Sequence, residues 1–168
     1  EEYPNLDLSK LGDCVVFSAE DFKKIVSQTA FAASTKEVRP VLTAINAKGF
    51  DDRIEFVATD SYRLSKKTYS CEDGVSFNAN IPVKSLIEVS KMVDDGDVEV
   101  TISNNKVVFT YKTTNVYSRL IAGDFPKTTN MFPANYPYVL QVNSDKFISA
   151  MQRVSLLAIE RENIVKLT

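Results

Sequence analysis

The chain of 168 residues contains no histidine, only two cysteines and only five glycines. Without histidine there can be no Ser-His-Asp or Cys-His machinery and no imidazole acid/base chemistry. Cys14 and Cys71 form no CxxC pair, so zinc sites of the usual Cys/His kind are excluded as well. The glycines nowhere spell GxGxxG or a P-loop, which removes support for a phosphate-cradling turn. Asp94-Asp95-Gly96-Asp97 resembles a fragment of a calcium loop, but position 105 is Asn rather than the Glu that loop needs, and the segment reads as a turn after a helix. No apolar run approaches the roughly 18 residues that cross a bilayer, and Glu1–Asn5 lacks the basic and apolar regions of a signal peptide. The expected location is therefore the cytoplasm. What remains is ordinary for a folded domain: 44% hydrophobic residues, 25% charged, and 20 Lys+Arg against 22 Asp+Glu for a net charge of −2.

A strand, a capping residue and an amphipathic helix recur three times. The copies are Val15–Ser18 leading into a helix over Ala19–Ser34, Phe77–Ile81 with Pro82 leading into Val83–Asp94, and Tyr138–Val142 with Asn143 leading into Ser144–Ala158. With Phe17, Ile81 and Val142 in register, the next residues are Ser18, Pro82 and Asn143, all suited to starting a helix. Further along the same register lie Phe22, Leu86 and Phe147, then Ile25, Val89 and Ala150, then Thr29, Val93 and Val154. Each helix thus carries a similar apolar stripe. Ser18 with Asp21 is a capping-box variant that supports the first boundary.

Short strand patterns fill the space between helices: Val41–Ala47, Arg53–Ala58 with Ile54 and Phe56 alternating, and Arg63–Tyr69, then Val98–Ile102, Lys106–Tyr111 and Val116–Ile121. They predict two antiparallel meanders, with hairpin turns at Ser103–Asn105 and Thr113–Asn115, where Asn tolerates positive φ. The predicted architecture is α+β, two helix-plus-meander units forming one domain over residues 13–122. Residues 123–137 hold Gly123, Pro126, Pro133 and Pro137 without periodicity and read as a connector, as do residues 1–12. Residues 138–168 supply a strand, a helix and the beginning of a strand at Ile164–Leu167, half a unit and too little for its own core, so the chain reads as truncated there.

The sharpest local signal is Ala58-Thr59-Asp60-Ser61-Tyr62-Arg63-Leu64, a strand running into a turn with an acid, an aromatic and an arginine. It reads as a structural turn or a binding surface. Catalysis using Asp60, Arg63 and a tyrosine is opposed by the lack of a second carboxylate or base. The helices carry Lys23 and Lys24, Lys84 and Lys91, and Lys146 and Arg153 on their polar faces. These are either solvated surface, mixed with acids such as Glu20 and Glu88, or one mildly basic lining that touches a polyanion through its phosphates.

The string Phe56–Leu64 is similar to the VATDxHRL motif of the bacterial sliding clamp, the β subunit of DNA polymerase III. Matches follow in order at Glu2–Leu6, Glu37–Thr43, Ile81–Leu86, Ser118–Pro126 and Arg153–Ala158, so the resemblance covers essentially the whole chain. It implies a DNA-clamp fold: two βαβββ units per domain, antiparallel sheets outside and helices on one inner face. The chain would be the family's central domain plus the start of the third.

The resemblance implies a non-enzymatic processivity factor without cofactors. Its ring homodimer encircles duplex DNA regardless of sequence and tethers the polymerase III catalytic subunit, the clamp loader, and repair and other polymerases carrying a clamp-binding peptide. Carried over by position, the peptide pocket would be lined by Leu42, Thr59, Ser61, Tyr62, Arg63, Leu64, Pro126 and Met131. The rest of that pocket comes from the family's extreme C-terminal residues. Lys84 matches a DNA-facing position and Lys36 lies in the loop of another; Lys23, Lys24, Lys91 and Lys146 would extend that lining. The sequence departs from the family at Tyr62, usually His, and at Ser61, usually Gly. The competing reading is a repeat-built protein-interaction module with no DNA role.

Overall fold

The computed structural model describes residues 12–71, 74–158 and 164–165, in two units, Glu1–Pro126 and Lys127–Thr168. Apart from Gly12, the connector expected over 1–12 lies outside the described residues, and so does its Glu2–Leu6 match.

The first unit runs β1 (Asp13–Ser18), α1 (Ala19–Thr29), β2 (Ala44–Gly49), β3 (Arg53–Thr59), β4 (Leu64–Ser70), β5 (Asn78–Pro82), α2 (Val83–Met92), β6 (Asp97–Ile102), β7 (Lys106–Tyr111) and β8 (Thr114–Arg119). The two halves do not form separate sheets. The orders are β1-β6-β7-β8 and β4-β3-β2-β5, all antiparallel, so each half sends its first strand to the edge of the other half's meander. The registers obey the repeat: Phe17 lies opposite Val98 as its counterpart Ile81 lies opposite Ile45.

Alternation sets the inner faces. Val15 and Phe17 of β1, Ile54, Phe56 and Ala58 of β3, and Val98, Val100 and Ile102 of β6 enter one hydrophobic cluster with residues of both helices. Phe17 is central to it, with ring centroids 4.9 Å from Tyr69, 6.0 Å from Phe56 and 6.4 Å from Phe22. The stripe inferred from the repeat is buried in both helices: Phe22, Ile25 and Thr29 in α1, Leu86 and Val89 in α2, and Val93 just beyond α2. The helices pack against each other as well as into this core.

Local chemistry explains where the elements begin and end. The Ser18 hydroxyl accepts from the Asp21 N–H at 3.1 Å and donates to the Asp21 carboxylate at 2.8 Å, fixing the start of α1. That helix ends earlier than the Ser34 expected. The buried Thr29 hydroxyl donates back to the Ile25 carbonyl at 2.6 Å, and the chain tightens into a 3-10 turn over Ala30–Ala32. Pro40 opens another 3-10 turn, Pro40–Thr43, which delays β2 to Ala44. The last hairpin also differs from expectation. Tyr111 pairs with Thr114, so the turn is Lys112-Thr113, and Lys112 rather than an asparagine takes φ 52°. Its amino group meets Asp95 at 2.6 Å.

The second unit contains α3 (Ser144–Ala158), where the sequence placed it, with Asn143 accepting from the Lys146 N–H at 3.1 Å. The strand expected over Tyr138–Val142 does not form, and Ile164 and Val165 are not in a strand; Lys166–Thr168 lie outside the described residues. In the first unit the equivalent strands are each accepted by another meander, and no such meander lies among the described residues after Pro137. Phe147 and Ala150 are accordingly only half-buried and Val154 is exposed, although they match buried positions of α1 and α2.

Candidate functional site

The β3–β4 connection is Asp60–Arg63, closed by the pair Thr59 and Leu64. The Thr59 hydroxyl accepts from the Ser61 N–H at 3.1 Å and donates to the Arg63 carbonyl at 2.7 Å. One Asp60 carboxylate oxygen accepts the N–H groups of Tyr62 and Arg63, both at 3.0 Å; the other accepts Arg63 Nε at 3.0 Å. The backbone N–H of Arg63, then that of Tyr62, then the guanidinium hold the Asp60 carboxyl below the usual aspartate range. A carboxylate so engaged is a poor general base, and the turn is suited to presenting side chains.

Two of those side chains are exposed: Tyr62 is 97% accessible, and the Arg63 guanidinium lies 5.9 Å from the centre of the Phe31 ring. Phe31, on the 3-10 turn after α1, is 57% exposed. The sequence reading missed it, and an aromatic next to a helix end offers little sign of such a contact. Ser61 takes φ 78°, a left-handed conformation that favours glycine.

Beside the turn is a second apolar layer. Thr59 and Val57 point to the side of β3 away from the core, and Val57 lies opposite Asn46. Carried two residues further, this register puts Ala44 opposite Thr59, so Leu42 leads into the strand end next to the turn. Leu42, Ala44, Val57 and Thr59 are each at most 5% exposed, yet none belongs to the main core cluster. Leu64 is half-buried at the same end.

The structure thus gathers Thr59, Ser61, Tyr62, Arg63 and Leu64 in one turn with Leu42 leading to it. Pro126, half-buried, ends the first unit. Met131 belongs to the second unit, where it is 56% exposed and its N–H donates to the Thr128 carbonyl at 3.0 Å.

The chain after β8 crosses this same sheet face. Asn80 of β5 accepts from the Asn46 side chain at 2.9 Å and donates to the carbonyls of Ile121 at 3.2 Å and Gly123 at 2.8 Å. Asn46 also donates to Asn78 at 2.8 Å. This asparagine cluster was not singled out from sequence, although Asn is depleted in strands and Asn78-Ala79-Asn80 places two of them on one face.

The expected cationic residues differ in how free they are. Lys24 is paired with Glu20 at 2.5 Å, which also raises its pKa, and Lys91 with Glu88 at 2.7 Å. Lys84, exposed on the first turn of α2, and Lys23, half-buried on α1, have no carboxylate partner among the described residues. Lys36 is exposed in the loop after α1, its N–H donating to the Ser34 hydroxyl at 3.1 Å. Lys146 is exposed on α3 of the second unit. Among the described residues no cluster of three or more His, Cys, Asp or Glu could hold a metal, and no helix is long and apolar enough to cross a membrane.

Residues 17–127 match the family model described as "DNA polymerase III beta subunit, central domain". The "Beta sliding clamp" of Staphylococcus aureus is 38% identical over 173 aligned positions, which take in 100% of this chain and 46% of that protein. The chain therefore spans about half the length of the curated relatives it matches. The DNA polymerase sliding clamp of Bacillus subtilis superimposes with a TM-score of 0.85 at 36% identity, over 95% of this chain and 43% of that one. A sliding clamp from Bartonella birtlesii, solved bound to griselimycin, gives 0.85 at 30% identity, over 95% and 45%.

Proposed function

The chain belongs to the DNA polymerase III β-subunit family, and from that premise we propose that it works as part of a sliding clamp, a non-catalytic ring that encircles duplex DNA and keeps a polymerase on its template. Residues 13–122 are read as a complete clamp domain, 123–137 as the connector and 138–168 as the start of the next domain. Two complete chains would close the ring, in the cytoplasm.

The observation that carries this reading is the β3–β4 turn. It is fixed internally by Thr59 and Asp60, so Tyr62 and Arg63 stand exposed beside half-buried Leu64, with buried Leu42 leading into the same strand end. A short peptide with leucine and phenylalanine anchors would find there an apolar floor and a polar rim, completed by Ser61 and Pro126. The polymerase catalytic subunit, the clamp loader and repair polymerases would dock through such peptides. Met131, in the second unit, carries a flexible thioether suited to adaptable peptide contacts.

The helix faces favour loose contact with DNA. Each phosphate neutralised by a lysine adds affinity and salt dependence, so a surface meant to slide must be only mildly basic. Lys84 and Lys23 are the best placed to touch phosphate. Lys24 and Lys91 are partly neutralised by Glu20 and Glu88; Lys36 would extend the lining, and Lys146, on α3 of the second unit, is a further candidate for phosphate contact. The test is topological. Loaded complete protein should remain on circular DNA at high salt and be lost when that circle is cut; equal retention on both forms would refute encirclement.

A further inference from the structure

Within the proposed pocket, we infer that Asn80 is a positioning residue: its side-chain amide docks the segment Ile121–Gly123 across the β5–β2 face and thereby sets where Pro126, three residues on, stands as a pocket wall. The inference rests on the peptide-binding reading above.

Every polar group of that side chain is used. Its oxygen accepts from Asn46, its two N–H groups reach the Ile121 and Gly123 carbonyls, and its own backbone carbonyl accepts the Ile121 N–H at 2.9 Å. The residue is 8% exposed, so these bonds are screened from competing water. The connector bends where it is held, since Gly123 has φ 114°, a conformation that L side chains rarely adopt. Only Asp124 and Phe125 separate Gly123 from Pro126, so the wall cannot stand more than about 11 Å from the anchor.

The repeat supplies an internal control. In the register that equates Phe17 with Ile81, Asn80 corresponds to Val16, which is 54% exposed on β1, while Asn78 corresponds to Cys14, also exposed. The fold therefore does not require asparagine at these strand positions. The half that has the asparagine carries the connector.

In the complete protein, Asn80→Asp keeps the shape but loses both N–H donors; Asn80→Ala avoids a buried carboxylate and serves if the first variant folds poorly. Asn78→Ala, which leaves the Asn80 contacts in place, is the control. Hydrogen exchange over residues 118–127 should speed up in the Asn80 variants and stay unchanged in Asn78→Ala. Titration with a fluorescent peptide bearing Leu and Phe anchors should weaken by about tenfold in the Asn80 variants, with retention on circular DNA unaltered. Unchanged exchange would overturn the inference, and so would faster exchange with unchanged peptide affinity. Failure of the unsubstituted protein to bind the peptide would instead strike the proposed pocket, and the role of Asn80 with it.

Discussion

Asp60 grips Arg63 twice, through the backbone N–H and through Nε, both at 3.0 Å. The grip depends on an ionised carboxylate whose pKa is depressed in the folded state. Its contribution is therefore complete above the unfolded aspartate pKa and lost as pH falls through the lower folded value. An NMR titration should place the Asp60 midpoint below that of an unstructured aspartate, with the Arg63 Nε–H signal moving in step. In Asp60→Asn that acid transition of Arg63 should disappear. A normal Asp60 midpoint would refute the arrangement.

Ser61 holds φ 78°, at a cost of about 1–2 kcal/mol for a residue with a Cβ. Glycine there relieves the strain but gains freedom in the unfolded chain, worth about 0.5–1 kcal/mol. Ser61→Gly is expected to stabilise the protein by up to about 1 kcal/mol. Denaturant unfolding checks this, and a lower midpoint would contradict it.

Lys84 and Lys24 are both exposed lysines at helix surfaces, and of the two only Lys24 has a carboxylate partner among the described residues, Glu20. In electrophoretic titrations of the complete protein on DNA, Lys84→Ala should lower the salt slope by about one and Lys24→Ala by less. Equal slopes for the two variants would remove the distinction.

Leu64 is half-buried beside the turn and outside the main core cluster. Leu64→Ala should cost about 1–3 kcal/mol in binding a peptide with Leu and Phe anchors. Calorimetry on the complete protein measures this. Undiminished affinity would dismiss Leu64 as a pocket residue.

The Thr101 hydroxyl is buried and has no hydrogen-bond partner among the described residues. Thr101→Val keeps the shape and removes an unsatisfied group worth about 1–3 kcal/mol, so the variant should unfold at higher denaturant. A destabilised variant would mean that the hydroxyl has a partner.

Much of this was readable from local chemistry. Ser18 and Asp21 marked the start of α1, the apolar stripe found its buried face, and the β-branched and aromatic run in Lys106–Tyr111 marked β7 at its true ends. Partnership was not readable. Periodicity identifies a strand's face but not its neighbour, which hid the exchange of β1 and β5 and made Tyr138–Val142 look like a strand. At the candidate site, the turn residues stood out because Asp, Ser and Arg cluster after an apolar strand. The Phe31–Arg63 contact and the Asn80 anchor join positions 32 and more residues apart, beyond the reach of any local pattern.

Because β1 completes the sheet of the second half and β5 that of the first, neither half can be discarded or shortened without leaving the other with a raw edge. The two similar halves are thus mutually obligate. Side chains at matching positions can differ, as Val16 and Asn80 do, while the lengths of the lent strands stay bound to each other.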